Sequence, residues 1–230
     1  MDSDKTFGQR VKEGGTGRRI SFTGLLLLCV CFFLPQAEGC DSDFIPVDEI
    51  IVSGPQDQPQ MDIGVLFTAF LPFTFAFIMA PLYVIRQLVR FGSTRRAMSV
   101  LALVLCLLTM LWAAGYTTAL FAPDVYSAYL DPEVTDFWTT GRIIDGLVCS
   151  VLLLGAISCL LVAWLATPAA KAPLAMFSFG VGAGVYFAAA ISRTDARYGL
   201  WLSITASILI AIGGAWEAVH AIRRRHAGIC

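Results

Sequence analysis

Apolar positions along this chain neither alternate with polar ones nor recur on a single helical stripe; they come in unbroken blocks. Six blocks can be drawn, at residues 20–37, 63–85, 97–121, 143–166, 174–191 and 200–222. A helix needs about 20 apolar residues to cross a hydrocarbon core of about 30 Å at 1.5 Å per residue, and these blocks are of that size. The pattern predicts an all-α membrane protein, a six-helix transmembrane bundle, in which a first helix at 20–37 precedes a five-helix unit at 63–222.

The polar stretches between the blocks add detail. Residues 1–19 carry Lys5, Arg10, Lys12, Arg18 and Arg19, and Gly14, Gly15 and Gly17 interrupt helix formation, so a flexible basic tail is expected there. Residues 38–62 form an acidic segment that holds Glu38, Asp41, Asp43, Asp48, Glu49, Asp57 and Asp62 without one Lys or Arg. Within it Pro46 opens the run PVDEIIV, with acids in the first turn and Val47, Ile50 and Ile51 on one face, which predicts a short helix lying on the bilayer surface. Pro72 falls near the middle of the second block and Pro81 near its end, and each removes a backbone donor, so a kinked helix is expected.

Charge orients the bundle. Arg86, Arg90, Arg95 and Arg96 crowd the short connector 86–96, and positive connectors stay in the cytoplasm. If they do, thirteen of the sixteen Lys and Arg residues fall on inner segments; Arg142, Arg193 and Arg197 are the three on outer ones. Both termini are then cytoplasmic, including the basic tail 223–230, and the acidic segment faces outward. The expected localisation is multi-pass in the plasma (inner) membrane. Composition agrees, at 57% hydrophobic and 14% charged, against about 45–50% and 25% in soluble domains. A net charge of −1 with no basic face excludes a nucleic-acid partner, and the bilayer is the one partner the sequence requires.

The first block has a second reading. A basic stretch, a short apolar run, Pro35 and then Ala37-Glu38-Gly39-Cys40 also describe a cleavable signal peptide, and Gly39-Cys40 is similar to the end of a lipoprotein processing site. Ala37 and Glu38 stand where that site wants Leu and a small residue, so a retained signal-anchor helix is preferred here.

Candidate chemistry is sparse. The seven cysteines have no metal-ligand spacing, and five of them lie inside apolar blocks. His220 and His226 are the only histidines, and no nucleophile elbow or phosphate loop is present, so no catalytic, cofactor or metal residues are assigned and an enzyme is not expected. Asp145, Glu217 and His220 fall inside spans but near their ends. Their simplest explanation is a local helix pair, Arg142 with Asp145 and Glu217 with Arg224.

Two sets of residues carry the remaining expectations. Gly180, Gly184 and Ala188 recur every four residues, as do Ser203 and Ser207, which predicts close packing of the fifth and sixth helices, or self-association, through small faces. Pro72, Thr74 and Asp145 are the candidates for a polar pathway, since a helix broken at mid-membrane exposes backbone groups to a solute. The sequence is thus read as a non-enzymatic structural or partner-binding membrane component, which meets a protein partner through the outer segment or a second copy through a small-residue face. The alternative is a small-solute transporter or channel using the Pro72 break.

Overall fold

The computed structural model describes residues 15–38, 43–46, 51–53, 59–61, 70–88, 92–121, 140–166, 168–191 and 196–226. Among them are six long helices: α1 (Thr16–Cys31), α2 (Leu71–Leu88), α3 (Gly92–Phe121), α4 (Thr140–Leu165), α5 (Pro168–Ile191) and α6 (Tyr198–His226). Three carry stretches long and apolar enough to cross a membrane: Ile143–Leu165 in α4, Ala170–Ile191 in α5 and Tyr198–Arg223 in α6. Shorter apolar stretches run through α2 (Leu71–Leu82) and α3 (Ser99–Gly115).

Most helices outrun their apolar blocks. Backbone hydrogen bonding does not stop at the edge of a hydrophobic run, so α3 takes in Arg95 and Arg96, and α6 takes in Arg223, Arg224 and Arg225. The short connector between the fourth and fifth apolar blocks is helical from Pro168 on, because α5 begins there. Proline suits a first turn, where its missing N–H would have no partner. The same rule explains Pro72. It is the second residue of α2, and the Phe70 carbonyl accepts from the amides of Phe73 and Thr74, both at 3.0 Å. Pro72 therefore lies in the opening turn of the described helix; residues 63–69 of the expected span lie outside the described residues. Pro81 sits inside α2.

α1 differs most from expectation. It begins four residues before its apolar block, after Gly15, whose φ of 77° is a value glycine adopts without strain. Arg18 and Arg19 are thus in a helix, not in a tail. The helix ends at Cys31, short of Ala37: the amides of Phe33 and Leu34 bond back to Val30 and Cys31 at 3.0 and 3.1 Å, and Pro35 cannot continue the ladder.

Between α1 and α2 lie two small antiparallel ladders, β1 (Ala37–Glu38) with β2 (Asp43–Phe44) and β3 (Ile51–Ser53) with β4 (Pro59–Met61). The surface helix expected from Pro46 is corrected in part. Pro46 is helical, but Ile51 and Val52 pair with Met61 and Gln60 in a strand; residues 47–50 lie outside the described residues. Two adjacent β-branched side chains ahead of a Gly54-Pro55 turn signal favour a pleated strand over a helix.

α5 is the interior helix and packs on α3, α4 and α6, while α1 packs on α6 and α2. The contacts fix direction. Cys106 bonds to the Ala175 carbonyl and Gly182 meets Met110, so α3 and α5 run the same way. Gly180 lies against Ala211 and Gly214 against Phe177, so α6 runs the other way. α1 is in turn antiparallel to α6. The core is rich in phenylalanine: Phe32 of α1's end meets Phe70, Phe73 and Phe77 edge-on, and Phe75 of α2 stacks on Phe179 of α5 at 3.7 Å. α4 is the most peripheral span and turns Leu147, Val151, Leu154, Leu161 and Leu165 outward, where lipid would solvate them.

Candidate functional site

The best-defined constellation in the molecule is the seam between α1 and α6. On α1 the buried positions Gly17, Ser21, Gly24, Leu28 and Cys31 follow a four–three spacing, and on α6 the positions Gly199, Ser203, Ala206, Ile210 and Gly213 do the same, with Glu217 next. A four–three repeat keeps one stripe of each helix turned to its neighbour over several turns. Because the stripe is made of small residues, the backbones come into direct contact. A Cβ placed on Gly24 would lie 2.7 Å from the Ala206 carbonyl oxygen, and one on Gly17 would lie 2.8 Å from that of Gly213. Apart from lipid, close van der Waals contact of this kind is what holds helices together in a membrane.

Both ends of the seam are polar. At one end the Arg18 Nε donates to Glu217 Oε1 at 2.9 Å across the two helices. The Glu217 side chain is 16% exposed and that of Arg18 36%, so solvent and headgroups still screen the pair, which contributes about 1 kcal/mol at most. At the other end the Gln36 amide, itself buried, donates to the carbonyls of Cys31 at 2.5 Å and Leu34 at 3.2 Å, at and just past the end of α1. Its Oε1 accepts from the Ser203 hydroxyl at 3.3 Å. The backbone is held as well: the Gly199 amide donates to Pro35 O at 3.0 Å, the Arg197 amide to Gln36 O at 2.9 Å, and Ala37 bridges to Ala196.

α6 uses a second face against α5. Gly180 of α5 sits on Ser207 and Ala211, with a hypothetical Cβ 2.7 Å from the Ser207 carbonyl oxygen, and Gly214 of α6 sits on Pro173 and Phe177. Gly184 has more room, its nearest neighbour being the Ser207 Cβ at 3.7 Å. Ala188, the third residue of the expected stripe, is exposed. Four residues turn a 3.6-residue helix by about 400°, so a strict four-residue stripe drifts by about 40° per step and leaves the contact face. Ser203 divides from Ser207 in the same way: it faces Gln36 and the Cys31 thiol in the α1 seam, whereas Ser207 lies at the α5 seam.

The polar-pathway candidates are not brought together. Thr74 is buried on α2 and donates to Phe70 O at 3.2 Å, while Asp145 is exposed on α4, whose main neighbours are α5 and α3. Other buried hydroxyls do as Thr74 does: Thr109 donates to Leu105 O at 2.9 Å, Thr117 to Ala113 O at 2.8 Å and Ser207 to Ser203 O at 2.8 Å. Each is spent on its own helix one turn back.

Sequence reasoning missed Gly17, Ser21, Gly24 and Gln36, and paired Glu217 with Arg224 instead of Arg18. The signal that could have found the first three is the four–three spacing of Gly17, Ser21 and Gly24 around Arg18-Arg19. Comparison with family models, with curated proteins and with solved structures finds no match to this chain.

Proposed function

We propose that the chain is a six-span protein of the plasma (inner) membrane, with both termini in the cytoplasm, that works as a non-enzymatic structural or partner-binding component. The observation that carries this reading is how the buried polar groups are used. Several buried hydroxyls of α2, α3 and α6 bond within their own helices, and Arg18 with Glu217, Ser21 with Ile210 O and Gln36 with Ser203 clasp α1 and α6 to each other, while Ser178 on α5 is a buried hydroxyl without a hydrogen-bond partner among the described residues. A solute path needs polar groups left over to replace a hydration shell. Groups spent on packing favour a rigid scaffold.

Topology follows from charge. The start of α1, the start of α3 and the end of α6 share one end of the bundle, and Arg18, Arg19, Arg95, Arg96 and Arg223 to Arg225 belong to those termini. Anionic headgroups and the positive-inside tendency put that end in the cytoplasm. The acidic segment 38–62 is then the main outer surface, and its chemistry fits a basic partner protein. The small faces at Gly180 and Ser207 serve contacts within the chain.

The test is accessibility of thiols. A membrane-impermeant maleimide applied to intact cells is expected to label Cys40 and to reach Cys230 only after the membrane is opened. Labelling of Cys230 in intact cells would reject the orientation.

A further inference from the structure

The stretch that resembles a cleavable leader is built into the bundle. We propose that residues 16–36, the helix α1 and the turn that follows it, are a permanent part of the mature protein, and that their clasp on α6 keeps both signal peptidase and lipoprotein processing from acting at residues 37–40. The inference deepens the multi-pass reading and rests on it only for the side of the membrane on which a peptidase would act.

Two independent features support it. The first is the fit of the seam. A discarded leader has to be recognised by the export machinery and then leave; it has no need to match a helix almost two hundred positions further on. Here Gly17, Ser21 and Gly24 meet Gly213, Ile210 and Ala206 backbone to backbone, and Ser21 Oγ donates to Ile210 O at 3.4 Å. Removing α1 would uncover the buried stripe Gly199, Ser203, Ala206, Ile210 and Gly213 and take the Arg18 guanidinium away from Glu217.

The second feature is the backbone around the cut. A peptidase binds the residues before the scissile bond as an added strand, through their amides and carbonyls. Those groups are occupied. Pro35 O accepts from Gly199 N, Gln36 O accepts from Arg197 N, and Ala37 pairs with Phe44 in β1–β2 and bridges to Ala196. The Gln36 side chain closes the end of α1 through Cys31 O and Leu34 O, and its Oε1 adds one side-chain hydrogen bond to α6, from the Ser203 hydroxyl. Cleavage would require this junction to open first, so its rate falls by the fraction of time the junction is closed.

The experiment is intact mass spectrometry of the full chain purified from membranes, followed by digestion of the detergent-solubilised protein with purified signal peptidase. The expected result is a mass that retains residues 16–40 with an unmodified Cys40 thiol. A mass lacking residues 1–37 or 1–39, or a diacylglyceryl adduct on Cys40, overturns the proposal. In the digestion, a Gln36→Ala, Ser203→Ala variant is expected to be cut about tenfold faster than the parent chain, because it loses the side-chain half of the junction. The variant leaves every helix packing residue of α5 unchanged, and its near-parental thermal stability would show that it is folded. Equal cutting of both proteins contradicts the shielding. A failed topology would show in Cys230 labelling, whereas failed retention shows in the mass, so the two are separable.

Discussion

Gly180→Ala is expected to lower the unfolding free energy of the bundle by about 2 kcal/mol, whereas Gly184→Ala changes it by less than about 0.5 kcal/mol. Both glycines belong to the same small-residue stripe of α5, and Ala is the better helix former at either position. What separates them is the opposing backbone. A Cβ on Gly180 would overlap the Ala211 amide nitrogen and come within 2.7 Å of the Ser207 carbonyl oxygen, and neither atom can move without shifting α6. On Gly184 the new methyl would meet only the Ser207 Cβ at 3.7 Å, an ordinary contact. Because α6 also carries the α1 seam, a shift forced at Gly180 propagates to both of its faces. The measurement is reversible unfolding in mixed micelles of detergent and denaturing detergent. Equal losses at the two sites would mean that α5 and α6 do not meet at Gly180.

Phe179→Ala is expected to cost about 3 kcal/mol or more in the same assay. Its ring is fully buried and stacks on Phe75 at 3.7 Å with planes 17° apart, which ties α5 to α2. In a bilayer the transfer term of a core substitution is small, because lipid is as apolar as the site. The loss comes from the void and the broken ring contact, since the neighbours on two rigid helices cannot collapse into it. Leu165→Ala is the comparison: Leu165 is 86% exposed at the end of α4, and its removal is expected to change stability by less than about 0.5 kcal/mol. A Phe179→Ala protein as stable as its parent would contradict the packing of α2 on α5.

Block length made the helices legible from sequence, and three of them are long and apolar enough to span. Their ends were less legible, for an identifiable reason. Hydropathy marks where a side chain prefers lipid, and α3 and α6 run on past that point into arginine. Proline is hard to read where its position within a helix matters: Pro72 falls in the first turn of α2 as described and Pro168 opens α5, a role that mean hydropathy cannot distinguish from an interruption. The glycines at 14, 15 and 17 predict a helix break, yet Gly15 precedes the first residue of α1 and Gly17 lies in its seam, because the propensity penalty of about 1 kcal/mol for a helical glycine is offset where a neighbouring backbone fills the space. The α5 stripe was visible because three small residues recur at equal intervals. The α1 stripe was not, since its residues alternate in size, overlap a charged pair and depend on a partner almost two hundred residues away. Long-range pairs such as Arg18 with Glu217 and Gln36 with Ser203 have no local signature at all.

The bundle depends on α1 being seated on α6, and paired cysteines probe that contact. With Ser203→Cys, mild oxidation of isolated membranes is expected to link position 203 to the native Cys31, because the Ser203 hydroxyl faces the Cys31 thiol across the seam. Gly155→Cys should stay unlinked to Cys31, since Gly155 is exposed on α4 and has open space where a Cβ would stand. The predicted result is a 31–203 linked peptide pair and no 31–155 pair. Absence of the 31–203 link under conditions that oxidise both thiols would contradict the α1–α6 seam and everything built on it.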